Sequence, residues 1–272
     1  MAQTILITGT SSGIGRVTAK LFQEKGWNVV ATMRRPEAEE ELTHLDNVLV
    51  TRLDVTDRDS IRSAFDAGIE RFGQIDVLVN NAGYGAYGPL EAFPMENIER
   101  QFDTNVIGLL ATTKAALPHF RARQSGVIVN VSSMGGKVAF PMGTLYHGSK
   151  FAVEGLSEAL HYEMEAIGVK VKIVEPGRYA TDFNGRSFDL QNDTGMVEYQ
   201  GLAQALLKAW TGPDIVHGDP TEVAEVIHQA VTDGSSTLRY TVGADAKELI
   251  DNRKALDDDT FIRGIKTSIG LN

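Results

Sequence analysis

The feature that most constrains this chain is a regular exchange of short apolar runs with longer amphipathic segments. "TILIT" at 4–8, "NVVATM" at 28–33, "NVLVTRL" at 47–53, "IDVLVN" at 75–80, "GVIVNVS" at 126–132 and "VKVKIVEP" at 169–176 read as strands. Most are nearly continuous in Val, Ile and Leu, as strands are when helices cover both faces of a parallel sheet. Between them, 13–26, 57–72, 95–122 and 146–167 read as helices. Strict βα alternation implies an α/β fold with a doubly wound parallel sheet and right-handed crossovers.

Past residue 177 the pattern loosens. "GRYATDFNGRSFDLQNDTG" is rich in Gly, Asn, Asp and Ser and reads as a loop. "DPTEVAEVIHQAV" restores a helix, with Asp219 at the N-cap, Pro220 at the first helical position and Glu222 closing a capping box. "TLRYTV" at 237–242 reads as a last strand, and the acidic tail "ALDDDTFIRGIKTSIGLN" follows. No repeat, linker or second core interrupts the 272 residues. Residues 1–272 therefore read as one domain, with a substrate loop at about 182–217 and a C-terminal extension at about 244–272.

Composition narrows the function classes. The formal net charge is −10 and no basic stripe stands out, which argues against a nucleic-acid partner. The chain has no cysteine, so disulfides, Cys-based metal sites and thiol catalysis are excluded. The first strand begins almost at Met1, with no basic segment or long apolar run before it, and no run approaches the roughly 18 apolar residues of a membrane span. A soluble, cytoplasmic protein is expected. The six histidines show no ligand-like spacing, so no metal is expected, and no G-x-S-x-G elbow suggests a serine hydrolase.

Two short stretches carry chemistry. "LITGTSSGIGRVTAKLFQEKGWNVV" puts Gly9, Gly13 and Gly15 between the first strand and first helix, where backbone N–H groups and a helix N-terminus can face a pyrophosphate. A side chain at these glycines would block that approach. "YHGSK" puts Tyr146 and Lys150 on one face of a helix, one turn apart. A phenol has an ordinary pKa of about 10, and a nearby ammonium favours its ionised form. The pair therefore reads as a tuned proton donor or acceptor. His147 is rotated away from Tyr146 and reads as a packing or surface residue.

These stretches resemble the motifs of the short-chain dehydrogenase/reductase family: "TGTSSGIG" at 8–15, "NNAG" at 80–83, "NVSS" at 130–133, "YHGSK" at 146–150 and "PGRYAT" at 176–181, in order and suitably spaced. "GADA" near 243–246 and the long tail resemble its hydroxysteroid and retinol dehydrogenase branch. The resemblance implies a Rossmann-type fold, a nicotinamide cofactor and hydride transfer between a carbonyl and a secondary alcohol, with a lipophilic substrate. It implies catalytic roles for Tyr146, for Lys150 (which would also hold the nicotinamide ribose), for Ser133 on the substrate oxygen and for Asn105 holding a water beside Lys150. Ser132 is the rival serine, and Asn105 also reads as a structural hydrogen-bonding residue or a local bend. Cofactor contacts are implied for Gly9, Ser11, Ser12, Gly13, Ile14 and Gly15; for Asp54, Val55, Asn81, Ala82 and Gly83; and for Pro176, Gly177, Tyr179 and Thr181. Asp54 otherwise reads as a helix entry, where Thr56 and Asp59 supply a capping box without it.

An NAD-type site carries an acid at the end of the second strand. Here Met33 is followed by Arg34 and Arg35, a pair suited to a 2′-phosphate, so NADP(H) is favoured over NAD(H), although Ser12 stands where the family often has a basic residue. Tyr84, Tyr87, Phe140, Met142, Leu145, Tyr179, Phe183 and Phe188 lie on segments leaving the strand ends and read as an apolar substrate pocket. A homo-oligomer built on helices 95–122 and 146–167 is expected. The competing class is a nicotinamide-binding sensor on the same fold without turnover.

Overall fold

The computed structural model describes residues 2–181, 187–211 and 216–271. Seven strands form one parallel sheet: β1 (Thr4–Thr8), β2 (Asn28–Met33), β3 (Val48–Arg52), β4 (Val77–Asn80), β6 (Gly126–Val131), β7 (Val169–Pro176) and β9 (Arg239–Val242). A separate two-stranded ribbon pairs β5 (Gly85–Tyr87) with β8 (Phe188–Leu190). The helices are α1 (Gly13–Glu24), α2 (Arg58–Phe72), α3 (Met95–Phe102), α4 (Gly108–Arg123), α5 (Thr144–Glu165), α6 (Val197–Thr211), α7 (Pro220–Thr232), α8 (Ala244–Ala255) and α9 (Asp258–Ser268).

Strand order is β3-β2-β1-β4-β6-β7-β9. The chain walks outward from β1 to β3, then returns to lay β4 on the other side of β1, with Leu6 facing both Val30 and Leu78. That reversal opens a crevice above the strand ends, where a Rossmann-type sheet binds its ligand. The nearly unbroken apolar runs follow from double coverage. Ile5, Ile7, Val29 and Ala31 pack with Phe22 of α1 and Val223 and Ile227 of α7 on one face. Leu6, Val30, Leu78 and Ile128 pack with Phe65 of α2, Phe120 of α4 and Met164 of α5 on the other.

Buried polar groups tie the strand ends together. Asn80 at the end of β4 donates to Asn130 of β6 (2.9 Å) and to Thr113 of α4, and Asn130 donates to Ser157 of α5 (2.8 Å). Each amide buried here has partners, as a low-dielectric interior requires.

Several sequence expectations need correction. The helix expected over 95–122 is interrupted by a wider turn at Asp103–Ile107, with five-residue hydrogen bonding centred on Asn105. The segment after 177 is not all loop: it holds β8 and α6. The acidic tail holds a helix, α9, and the whole C-terminal extension from residue 244 is the helix pair α8 and α9. Asp257 caps α9 by accepting from the Thr260 N–H (2.8 Å), and acids in its first turn suit the helix dipole. Helix α2 is capped by Asp57, which accepts from the N–H groups of Asp59 and Ser60, while Thr56 donates to Asp54 instead. Asp219 does cap α7, accepting from the Thr221 N–H, but the Glu222 carboxylate accepts from the Tyr179 phenol (2.8 Å) rather than turning back on its own helix. Among the described residues, no helix is long and apolar enough to cross a membrane.

Candidate active site

A cavity of about 920 Å³ lies over the ends of β1, β4, β6 and β7. Of the residues singled out for a cofactor, Gly9, Ser11, Ser12, Gly13, Ile14, Arg34, Asp54, Val55, Asn81, Ala82, Gly83, Tyr146, Lys150, Pro176, Gly177, Tyr179 and Thr181 line it. Gly15 and Arg35 do not, nor does Asn105, which was singled out for catalysis.

At the adenosine end the chain turns sharply through Gly9 at φ +74°, a left-handed conformation that favours glycine. Gly15 is needed for a different reason from the one its motif suggests. A Cβ there would lie 2.3 Å from the Gly9 carbonyl and 2.5 Å from the Asn81 amide, so its smallness lets α1 seat against the turn instead of admitting a ligand. The Asn81 amide donates to the carbonyls of Thr8 (2.9 Å) and Gly9 (3.1 Å), fixing the turn against the end of β4. The N-cap Ser12 makes no side-chain cap to α1, and the helix has no acid in its first turn. Its opening N–H groups thus face the cavity beside Ser11, Ser12 and Gly13, the donor set a pyrophosphate takes. Arg34 is exposed and lines the cavity. Of the acids that follow, Glu39 and Glu41 are held by Arg16, and Glu37 is exposed outside the cavity lining.

The reacting end is assembled from distant segments. Tyr146 occupies the third position of α5 and is buried at the cavity floor. Burial pushes its phenol up to about 12, and the Ser133 hydroxyl hydrogen-bonded to it pulls the other way. Ser133 itself caps a short turn by accepting from the Gly135 N–H (3.0 Å). The Ser132 hydroxyl is buried with no hydrogen-bond partner among the described residues.

Lys150 is buried one turn behind Tyr146, its Nζ 2.9 Å from the Val131 carbonyl to which it donates and 6.0 Å from the centre of the phenol ring. Burial lowers its ammonium to about 8, against an opposing pull from Glu154. The expectation that Lys150 depresses Tyr146 is therefore not met within the protein: desolvation of the phenol dominates.

Asn105 lies behind the wall. Its Oδ1 accepts from the Tyr84 N–H (3.1 Å), and its Nδ2 donates to the Tyr84 carbonyl (2.8 Å) and to Ser149 (3.1 Å). The side chain is thus committed to joining the loop after β4 to α5, at the bend in its own helix. His147 is buried and bridges backbone groups: Nδ1 donates to the Gly135 carbonyl (2.9 Å) and Nε2 accepts from the Phe140 N–H (3.1 Å). The bond accepted by Nε2 requires the neutral ring, and burial keeps its pKa below the ordinary histidine value.

Aromatic rings form the outer wall. Tyr87 packs 5.3 Å from Tyr146, 5.4 Å from Phe188 and 4.6 Å from Trp210, centre to centre. Tyr84, Phe140 and Tyr179 also line the cavity, whereas Met142 packs with Ala203 and Leu206 of α6 and Leu145 with Ala86 and Phe93. Those two anchor loops to the core. Phe183 lies outside the described residues. Sequence reasoning missed Arg178, Leu207 and Trp210 as lining residues. The spacing of Ala203, Leu206 and Trp210 carries the helical signal that would have revealed α6.

A family model described as short chain dehydrogenase matches residues 3–192. The chain belongs to that family. A short-chain dehydrogenase is an NAD(P)-dependent oxidoreductase, and its relatives bear related names. A Schizosaccharomyces pombe protein named only as an uncharacterized oxidoreductase is 46% identical over 241 residues, covering 88% of this chain and 100% of its own length. A 3-ketodihydrosphingosine reductase of Bacteroides thetaiotaomicron is 42% identical over 181 residues, 66% of this chain and 65% of that protein.

Among solved structures, a short-chain dehydrogenase from Streptomyces avermitilis superposes with a TM-score of 0.82 at 34% identity, covering 98% of this chain and 96% of its own. ElxO with NADP bound gives 0.75 at 28%, covering 91% and 100%. A 3-ketoacyl-(acyl-carrier-protein) reductase from Brucella melitensis with NADH gives 0.76 at 25%, covering 90% and 98%. Both kinds of nicotinamide nucleotide thus occur among the neighbours, and the uncapped start of α1 fits either.

Proposed function

We propose that the chain is an NADPH-dependent reductase of lipophilic carbonyl compounds with Tyr146 as the proton donor. The observation that carries this reading is the buried Tyr146 phenol, hydrogen-bonded to Ser133 at the cavity floor with Lys150 one turn behind. A bound nicotinamide would supply the hydride to the carbonyl carbon. Ser133 would hold the carbonyl oxygen by a hydrogen bond, and Tyr146 would pass its proton to that oxygen, leaving an alcohol. A phenol raised to about 12 is protonated at neutral pH, the form that a proton donor needs. Lys150, an ammonium below about 8, would hold the nicotinamide ribose and stabilise the phenolate left after proton transfer. Asn105 supports the relay by keeping α5 and the Tyr84 loop in register.

The preference for NADPH rests on Arg34 at the end of β2, where Met33 rather than an acid closes the strand and the nearby Glu39 and Glu41 are already paired. Arg35 is exposed outside the cavity and adds charge at a distance. A lipophilic substrate is supported by Tyr87, Phe140, Phe188, Leu207 and Trp210 on the outer wall. Exposed Ile107 at the bend, Leu110 on α4 and Phe151 on α5 support self-association, as expected of a cytoplasmic homo-oligomer.

The test follows NADPH and NADH consumption over aldehydes, aliphatic ketones, aryl ketones and steroids, with Tyr146→Phe alongside. Turnover that prefers NADPH and is lost in the variant is expected. Tight NADPH binding with no turnover of any carbonyl would replace this reading with that of a nicotinamide sensor.

A further inference from the structure

Arg178 occupies a position the reaction does not explain. It follows Pro176 and Gly177 at the end of β7 and lines the cavity, half-buried, with no hydrogen-bond or ion-pair partner for its guanidinium among the described residues. Its root is firmly held. The Arg178 N–H donates to the Asp245 carboxylate of α8 (2.9 Å), and the Arg178 carbonyl accepts from the Gly218 N–H (2.9 Å). The next residue, Tyr179, is buried and donates to Glu222. A cation fixed in this way is a feature of the cavity wall rather than a solvated surface charge.

Among the described residues of the wall, no carboxylate pairs with it. The lining acids are Asp54 and Asp189. Asp54 is at the adenosine end and accepts from the Thr56 N–H (3.0 Å) and hydroxyl (2.8 Å). Asp189 is paired with Arg100 and accepts from Asn97 (2.9 Å). The other cation of the reacting end, Lys150, is buried behind Tyr146, gives one of its donors to the Val131 carbonyl and is assigned to the nicotinamide ribose. Arg178 also stands close enough to the Tyr87 phenol for its charge to be felt there, and the Tyr87 ring is 5.3 Å from that of Tyr146. A half-buried guanidinium with no ion-pair partner among the described residues is costly unless a ligand brings a counter-charge, and its planar fork matches a carboxylate.

We propose that the substrate is an oxo acid: a carbonyl compound with an apolar body packed on the Tyr87, Phe188 and Trp210 wall and a carboxylate paired with Arg178. This rests on the reductase reading for the place of the carbonyl, at Ser133 and Tyr146. The pairing sets substrate orientation, because the carboxylate and the carbonyl are fixed at two separate points. An ammonium on the substrate at the same place would be repelled.

The experiment compares acids with their neutral isosteres: 4-acetylbenzoate against its methyl ester and 4-acetylbenzylamine, and 5-oxodecanoate against its methyl ester. Turnover with NADPH is read beside calorimetric binding to the NADP⁺-loaded Tyr146→Phe protein, which reports the ligand without chemistry. The wild-type chain is expected to favour each acid over its ester at least tenfold in kcat/KM and to discriminate against the amine. Arg178→Gln should bring the acid-to-ester ratio close to one, and Arg178→Lys should restore part of it. Equal handling of acid and ester by the wild type, in binding and in turnover, overturns the proposal. So does a loss of NADP⁺ affinity in Arg178→Gln with the acid-to-ester ratio intact, which would make Arg178 a cofactor clamp. If acids bind selectively and are never reduced, the carboxylate site stands and the reductase reading fails.

Discussion

The two ends of the cavity are built by different means. The phosphate-facing part of the nucleotide end is local: β1, the turn at Gly9 and the start of α1 form it within about a dozen residues, clamped by Asn81. Arg34, Asp54 and Ala82 complete the end from the tips of β2, β3 and β4. The reacting end draws Ser133, Tyr146, Arg178 and Trp210 from four separate elements and is braced from behind. Val138 and Phe140 lie under Phe261, Ile265 and Leu249, and Met134 packs on Ala246 and Ile250, so α8 and α9 support the loop that carries Ser133. A local site depends on backbone geometry and tolerates change elsewhere. An assembled site inherits the stability of everything that holds it.

The strongest test of this contrast is Tyr146→Phe. Reduction is expected to fall by roughly 10²–10⁴-fold, while NADPH affinity measured by fluorescence stays within about twofold. A parallel loss of nucleotide binding would show that the two ends are not separable. Next, Phe261→Ala should lower unfolding stability by about 3 kcal/mol in urea, and raise KM for the carbonyl more than for NADPH. Equal effects on both constants would mean that the brace serves the whole crevice.

Arg34→Ala is expected to weaken NADPH binding by roughly ten- to hundredfold and to leave NADH nearly unchanged, since one charge-assisted contact is worth about 1.5–3 kcal/mol. An equal loss for both nucleotides would move Arg34 away from the 2′ position. The smallest effect concerns His147. Its pKa is held below the ordinary value, so in acid the unfolded chain takes a proton that the folded ring refuses. Stability from this residue is present above about pH 6.5 and is lost as pH falls through the lowered value. His119 and His228 are also lowered by burial, so His147→Gln should flatten only part of the acid limb of a Tm-against-pH curve. An unchanged limb would remove His147 from the account.

The same contrast explains what could be read from the residues alone. Six strands stand out because helices cover the sheet on both faces, leaving unbroken apolar runs, and the Gly9 turn and the Tyr146–Lys150 spacing are local patterns. The bend at Asn105 is not legible, because its cause is a pair of bonds to Tyr84 set by tertiary packing. Helices α8 and α9 are hidden by their acids, since narrow apolar stripes such as Phe261 and Ile265 are enough to dock them. The rise of Tyr146 to about 12 has no sequence signature, because burial is a property of the fold. Arg178 stood within a recognised motif, yet only the distribution of its neighbours shows that its guanidinium has no ion-pair partner among the described residues.

The brace formed by α8 and α9 also sets an order in time. Residues 244–268 leave the ribosome after every group that would touch the nucleotide or the carbonyl. The glycine turn and its strands can be in place while the Ser133 loop still lacks its support, and Arg178 still lacks the carboxylate of Asp245 that fixes its backbone. Nucleotide binding is therefore expected early in the life of a nascent chain, and substrate selection is the last property it acquires.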